Sequence, residues 1–231
     1  MGSLAELKEG VWRCNMELFN KNLVIQTFGN VSGIDREKDI IAIKPSGIPY
    51  PELTSDKIVL VDLKNRIIDT KYKPSSDTKT HIVLYKAFPN IGGVVHTHSP
   101  YATAWAQAKR SIPCLGTTHA DHVQGEIPCT EELTDEQIMG DYETETGNQI
   151  VKRFSSISPD EVEMVLVAGH GPFTWGNTPE KAVYNTVMLE EIARISFLTF
   201  AINPGVESLK RSLIDKHYLR KHGKDSYYGQ K

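Results

Sequence analysis

A single mixed α/β domain, with a mostly antiparallel or mixed sheet flanked by helices, is the fold class that this 231-residue sequence predicts. Three observations lead there. Strand-like and helix-like segments both occur, but they do not alternate as a doubly wound parallel sheet requires. No Pro/Gly/Ser-rich tract is long enough to separate two domains and no internal repeat is present, so residues 1–231 read as one unit. A hydrophobic fraction of 39% against 24% charged residues supplies a real core and excludes disordered and fibrous classes.

In chain order, Ser3 with Glu6 forms a capping-box pattern, and Leu4, Leu7, Val11 and Leu18 recur at helical spacing, predicting a helix over residues 4–20. Strands are expected at "LVIQTF", "DIIAIKP", "IVLVDL" and "RIIDT", the last two joined in hairpin style at Lys64-Asn65. "TKTHIVLYKAF" has helical periodicity and stops at Pro89, after which "GGVVHTH" reads as a buried strand. A helix near "YATAWAQAKR" follows, then a helical stretch over residues 134–154 and strands at "MVLVAG" and "PFTWG". Thr178-Pro179 supplies N-cap and N1 for a long helix to about residue 200, and the chain closes on a basic, aromatic tail.

Charge and cysteine usage exclude several function classes. A net charge of -3 argues against a nucleic-acid surface, whose footprint is a basic excess. No run approaches 18 consecutive apolar residues, so no membrane span is expected. The start "MGSLAELKEG" lacks a basic segment followed by an apolar stretch, and the expected location is the cytoplasm. Cys14, Cys114 and Cys129 are odd in number, far apart and free of C-x-x-C spacing, so they read as buried small hydrophobes. Any metal must therefore be held by imidazole and carboxylate.

His96 and His98 are spaced i, i+2 on a predicted strand, which puts both rings on one face roughly 7 Å apart along it. Alone, the pair is as compatible with two half-exposed strand histidines as with a metal site. Company changes the balance: "SSDTKTH" brings Asp77 and His81, and "VAGHGPF" places His170 between glycines after another apolar strand. Three imidazoles and a carboxylate suit Zn²⁺, with Mn²⁺ or Co²⁺ as substitutes. His81, inside a predicted helix, reads as a packing residue or a supporting partner of a ligand.

Gly169-x-Gly171 imitates the start of a dinucleotide fingerprint, but the third glycine is missing and a strand follows where a helix is needed, so a nicotinamide site is rejected. "FGNVSG", "KPSG" and "PSSD" are turns of the kind that aim N–H groups and hydroxyls at an anion; each alone is equally a simple turn, and together with Lys44 they suggest a phosphorylated substrate. Asp121, between His119 and His122, could be a solvent-side turn residue, an orienting group or a general acid/base. Tyr227 and Tyr228, adjacent near the C-terminus, suggest a docked tail, possible on a neighbouring subunit.

Taken together, "GNVSG", "IKPSG", "KPSSDT.TH", "GGVVHTHS", "GTTHAD", "IPCT", "HGPF.WG", "KHYLRKHG" and "YYGQ" resemble the class II aldolase and adducin-head family over nearly the whole chain, on its sugar-phosphate epimerase branch. The resemblance implies a three-layer αβα domain with a central, largely antiparallel sheet, assembled as a homotetramer whose active sites lie between adjacent subunits. It makes Asp77, His96, His98 and His170 the ligands of one divalent ion per subunit, zinc with Mn²⁺ or Co²⁺ as alternatives. Gly29, Asn30, Ser46, Gly47, Ser75 and Ser76 would hold the substrate phosphate with Lys44 close by, and His217 would contact substrate. Asp121 would be one acid/base and Tyr228 the other, reaching over from the next subunit.

The implied activity is epimerisation at C4 of L-ribulose 5-phosphate to D-xylulose 5-phosphate, in arabinose or ascorbate breakdown. With the carbonyl at C2, the C4 hydrogen is not α to it, so simple deprotonation cannot invert that centre, and a redox route needs the nicotinamide already rejected. Retro-aldol cleavage between C3 and C4, followed by re-addition to the other face of the aldehyde, remains, with the ion as Lewis acid. Two departures stand out: the family usually reads Asp-Tyr where this chain has Asp121-His122, and fuculose-phosphate aldolases carry Glu where this chain has Asp77. An aldolase that releases its fragments and a non-catalytic adducin-like module are the alternatives.

Overall fold

The computed structural model describes residues 3–69, 71–223 and 226–227. Six strands form one sheet in the order β3-β2-β1-β4-β6-β5, and each neighbouring pair runs antiparallel. The strands are β1 Asn30–Asp35, β2 Ile40–Ile43, β3 Val59–Asp62, β4 Gly93–His96, β5 Met164–Val167 and β6 Gly171–Gly176. Eight helices were assigned among the described residues: α1 Leu4–Asn20, α2 Thr78–Ala87, α3 Pro100–Gln107, α4 Thr117–Ala120, α5 Asp135–Met139, α6 Tyr142–Arg153, α7 Pro179–Ile202 and α8 Arg211–His222.

Side-chain alternation along the strands divides the core into two layers. Ile41, Ile43, Val59, Val61, Val94, Phe173 and Trp175 face α2 and α6, where Ile82, Leu84, Tyr85, Ile150 and Phe154 meet them. The intervening residues Val31, Ala42, Leu60 and Val95 face α1 and the start of α7, and Met164 and Leu166 pack with α3 and the middle of α7. A helix layer on each face is the αβα sandwich that the sequence implies. Where α7 begins, its backbone crosses the sheet so closely that a Cβ on Gly93 would meet Pro179 backbone at 2.4 Å, so only glycine fits there.

Local chemistry accounts for the helix ends. Ser3 and Glu6 form both halves of the capping box on α1, and Thr178 caps α7 by accepting from Lys181 N–H.

The structure departs from the sequence reading in four places. "LVIQTF" is not a strand: Asn22 and Gln26 adopt positive φ, which breaks the extended run, while Leu23 and Val24 plug the core and Ile25 and Phe28 stay exposed. The strand lies instead on "NVSGID", whose Gly and Ser lower its β propensity but which pairs on both edges, with β2 and β4. Among its described residues "RIIDT" folds back on β3 in hairpin style, with Val61 bridging Ile67, Asp62 N–H donating to Arg66 O and Ile68 N–H to Leu60 O, but it is too short-paired to count as a strand. Residues 134–154 form two helices broken at Gly140-Asp141, and the tail folds into α8.

Candidate active site

The strands that end near one edge of the α2/α6 face carry the histidines. His96 is the last residue of β4, opposite Asn30 at the start of β1 and Phe173 on β6. Its ring stacks on Phe173 with centroids 4.2 Å apart. His98 lies two residues past the strand end, and Gly169, at φ +73°, turns the chain so that His170 reaches the same place. Ligand-capable ring nitrogens of His96, His98 and His170 all lie within 4.8 Å of one another, and His96 Nε2 is 3.0 Å from His98 Nε2.

His96 Nδ1–H donates to the Pro172 carbonyl at 2.9 Å, which leaves Nε2 with its lone pair facing the other histidines. Burial pulls His170 down to about 3 and also lowers His98, the neighbouring imidazoles adding to the effect, so His170 is uncharged at neutral pH. Ring nitrogens gathered this closely repel through their lone pairs, and a cation between them would turn that repulsion into coordination, so the donor set fits a divalent ion of the zinc type.

Asp77 occupies the N-cap position of α2, yet its side chain makes no capping bond. Instead Asn30 Nδ2 donates to its Oδ2 at 2.7 Å and to Ser75 Oγ at 3.1 Å. Burial works against its charge, but the surrounding imidazoles and the Asn30 bond outweigh this and hold the carboxyl below its ordinary range. Asp77 lines the same cavity as the three histidines, although it stands outside their tight cluster. Beneath lies His81, fully buried, with Ser32 Oγ 2.7 Å from its Nδ1 and its ring edge-on to Phe173.

This cavity, of about 450 Å³, is also lined by Gly29, Asn30, Lys44, Ser46, Gly47, Ser75 and Ser76, so the sequence-predicted phosphate residues and the histidines open onto one space. Two of the turns are fastened to each other: Ser46 N–H donates to Lys73 O and Ser75 N–H to Lys44 O. Lys44 is 1% exposed, with Nζ donating to Thr27 O at 3.1 Å and lying 4.8 Å from the Tyr50 ring centroid. Burial brings its ammonium down to about 8, partly offset by Asp77, so it is still mainly charged at neutral pH. An ammonium, three serine hydroxyls and an amide around one opening make an anion cradle.

Asp121 and His217 are elsewhere. They do not line this cavity; Asp121 ends α4 and is held against α8 by His217 Nδ1 at 3.0 Å and by Arg220, whose Nε and a terminal nitrogen sit 3.0 and 2.7 Å from its two oxygens. Burial opposes the charge, but the Arg220 and His217 bonds prevail and hold the carboxyl below its usual range. Tyr228 lies outside the described residues; Tyr227 N–H donates to Arg220 O, which brings the chain back along α8. Tyr142 and Glu143, which the sequence reading missed, line the cavity. Reading residues 134–154 as one helix hid them; the break at Gly140 is the signal that α6 starts at the site.

Comparison with known proteins places the chain in a family. The family profile described as Class II Aldolase and Adducin N-terminal domain matches residues 9–197. A protein from Salmonella paratyphi A named L-ribulose-5-phosphate 4-epimerase UlaF is 47% identical over 228 residues, covering 99% of this chain and 100% of its own; a protein of the same name from Salmonella typhi matches equally. Among solved structures, an L-fuculose 1-phosphate aldolase superposes with a TM-score of 0.80 at 25% identity, over 94% of this chain and 96% of its own. An L-fuculose 1-phosphate aldolase from Glaciozyma antarctica PI12 reaches 0.77 at 18% identity, over 96% and 84%, a likeness of fold. Both the length of the profile match and the full-length identity lead to one assignment: this chain belongs to the class II aldolase and adducin N-terminal domain family.

Proposed function

We propose that this chain interconverts L-ribulose 5-phosphate and D-xylulose 5-phosphate, inverting C4 by breaking and remaking the C3–C4 bond. One observation carries the reading: a single cavity joins an anion cradle to three converging imidazoles and a carboxylate. The activity for which the full-length relatives are named supplies the substrate.

Lys44, Ser46, Ser75, Ser76 and Asn30, with backbone at Gly29 and Gly47, would grip the 5-phosphate and fix the C5 end. His96, His98, His170 and Asp77 would hold one divalent ion, zinc or in its place Mn²⁺ or Co²⁺. When bound, such an ion supplies Lewis-acid stabilisation of the negative charge that develops on the enediolate oxygens. A base then removes the C4 hydroxyl proton, the electron pair of the C3–C4 bond passes to the dihydroxyacetone fragment, and glycolaldehyde phosphate forms. With its phosphate still gripped, the aldehyde rotates to present its other face, and re-addition with proton return completes the inversion.

Proton transfer falls to Asp121 and Tyr228. Asp121 is an ionised carboxylate oriented by His217, the form a base needs. It lies outside the cavity of its own chain, and we infer that a neighbouring copy supplies Asp121, His217 and Tyr228, in a cytoplasmic homotetramer with shared sites. No described helix is long and apolar enough to cross a membrane.

The test is to incubate zinc-loaded protein with L-ribulose 5-phosphate and follow D-xylulose 5-phosphate and free glycolaldehyde phosphate together. Epimer without free aldehyde, abolished by chelator, is expected. Free aldehyde without epimer would establish an aldolase instead, and neither product would exclude this substrate.

A further inference from the structure

His96 and His170 differ in what stands behind them. The partner of His96 Nδ1 is a backbone carbonyl, which can only accept, so its protonation pattern is fixed by the fold. The partner of His170 Nδ1 is the Tyr142 hydroxyl at 3.1 Å, which can donate or accept. If the phenol donates, Nε2 must carry the proton and cannot ligate; if it accepts, Nε2 presents a lone pair. The state of one hydrogen bond therefore decides whether the third imidazole is available.

Tyr142 is held for this task from the far side. It is the first residue of α6, directly after Gly140-Asp141. The turn is fastened to α2, the helix that Asp77 heads, by Lys79 to Asp141 at 2.8 Å and by Thr80 Oγ1 donating to Glu143 O at 2.6 Å. One turn on, Gly147 lies so close to Val83 that a Cβ would meet its side chain at 2.7 Å. The phenol is thus placed by the helix that carries one candidate ligand and touches the ring of another.

We propose that Tyr142 is a positioning residue of the metal centre: by accepting the Nδ1 hydrogen of His170 it fixes that ring's orientation and tautomer and presents Nε2 to the ion. This rests on the metal reading of the cavity. With its oxygen so engaged, the phenol keeps its own hydrogen, which can turn toward the cavity that Tyr142 lines. Partners of this kind on ligating histidines affect metal affinity by about 10- to 100-fold.

The experiment compares full-length native protein with Tyr142→Phe, which removes one oxygen and keeps the ring. Zinc affinity is measured by chelator competition, the cobalt-loaded proteins are compared by visible absorption, and thermal melting of the metal-free forms checks the fold. Expected are an unchanged melt, zinc binding weakened about 10- to 100-fold, and altered intensity or position of the cobalt bands. Equal affinity with superimposable cobalt spectra would overturn the role of Tyr142. Absence of stoichiometric metal binding by the native protein would instead overturn the metal reading itself, so the two failures are told apart.

Discussion

Around His96 the polar groups face an open cavity; around Asp121 they face one another. In the first region three imidazoles converge, burial holding His170 uncharged, and an ammonium and three serines line the same opening. In the second, a carboxylate is already matched by a forked arginine, with an imidazole beside it. The first arrangement gathers donors for a cation and for an anion around one opening. The second is internally satisfied, its carboxylate oriented by the side chains that pair with it. On the proposed reading the chain separates holding from proton transfer, and neither region would suffice for catalysis.

Substitutions can break the comparison from either end. His96→Ala removes a proposed ligand and the ring stacked on Phe173; stoichiometric zinc binding should disappear and epimer formation should fall about 10³-fold. Asp121→Asn should cost about 10²-fold or more in turnover, the scale of a lost acid/base, while zinc affinity stays native. If Asp121→Asn also released zinc, the separation of the two regions would be wrong. Lys44→Gln should raise KM for the phosphorylated substrate about 10- to 100-fold, as expected for a lost charge-assisted hydrogen bond, with a smaller effect on turnover.

The smallest effect concerns stability. Burial holds His81 at about 3 and His119 at about 4, against 6.5 for a free imidazole. The folded state therefore binds fewer protons than the unfolded chain between those values. This contribution is complete above pH 6.5 and is lost as pH falls toward 3. Urea unfolding of the metal-free protein should show a midpoint that drops steadily from pH 6.5 to pH 4; a flat midpoint would contradict the burial of neutral imidazoles.

Much of this was legible in the sequence because it depends on local signals. Caps at Ser3 and Thr178, the apolar strand before His96, and glycines flanking His170 are short-range features, and each predicted its element. Long-range pairing was not legible: β1 contains Gly33 and Ser32 and forms a strand only because β2 and β4 hold both its edges. "LVIQTF" failed for the opposite reason, since left-handed residues at Asn22 and Gln26 override an apolar β-branched run. The predicted cavity residues converge as a group, whereas the segregation of Asp121 and His217 onto α4 and α8 depended on a helix that the basic tail did not announce.

Mixing two inactive variants tests most directly whether the holding region of one copy works with the proton-transfer region of another. His96→Ala and Asp121→Asn proteins would be combined under conditions that allow subunit exchange, and D-xylulose 5-phosphate formation measured. In a closed ring with shared sites, an equal mixture regains about one quarter of native activity, because one neighbouring pair in four carries both intact regions. Activity that stays at the mean of the two parents would show that each copy must supply both regions itself, and would contradict the account.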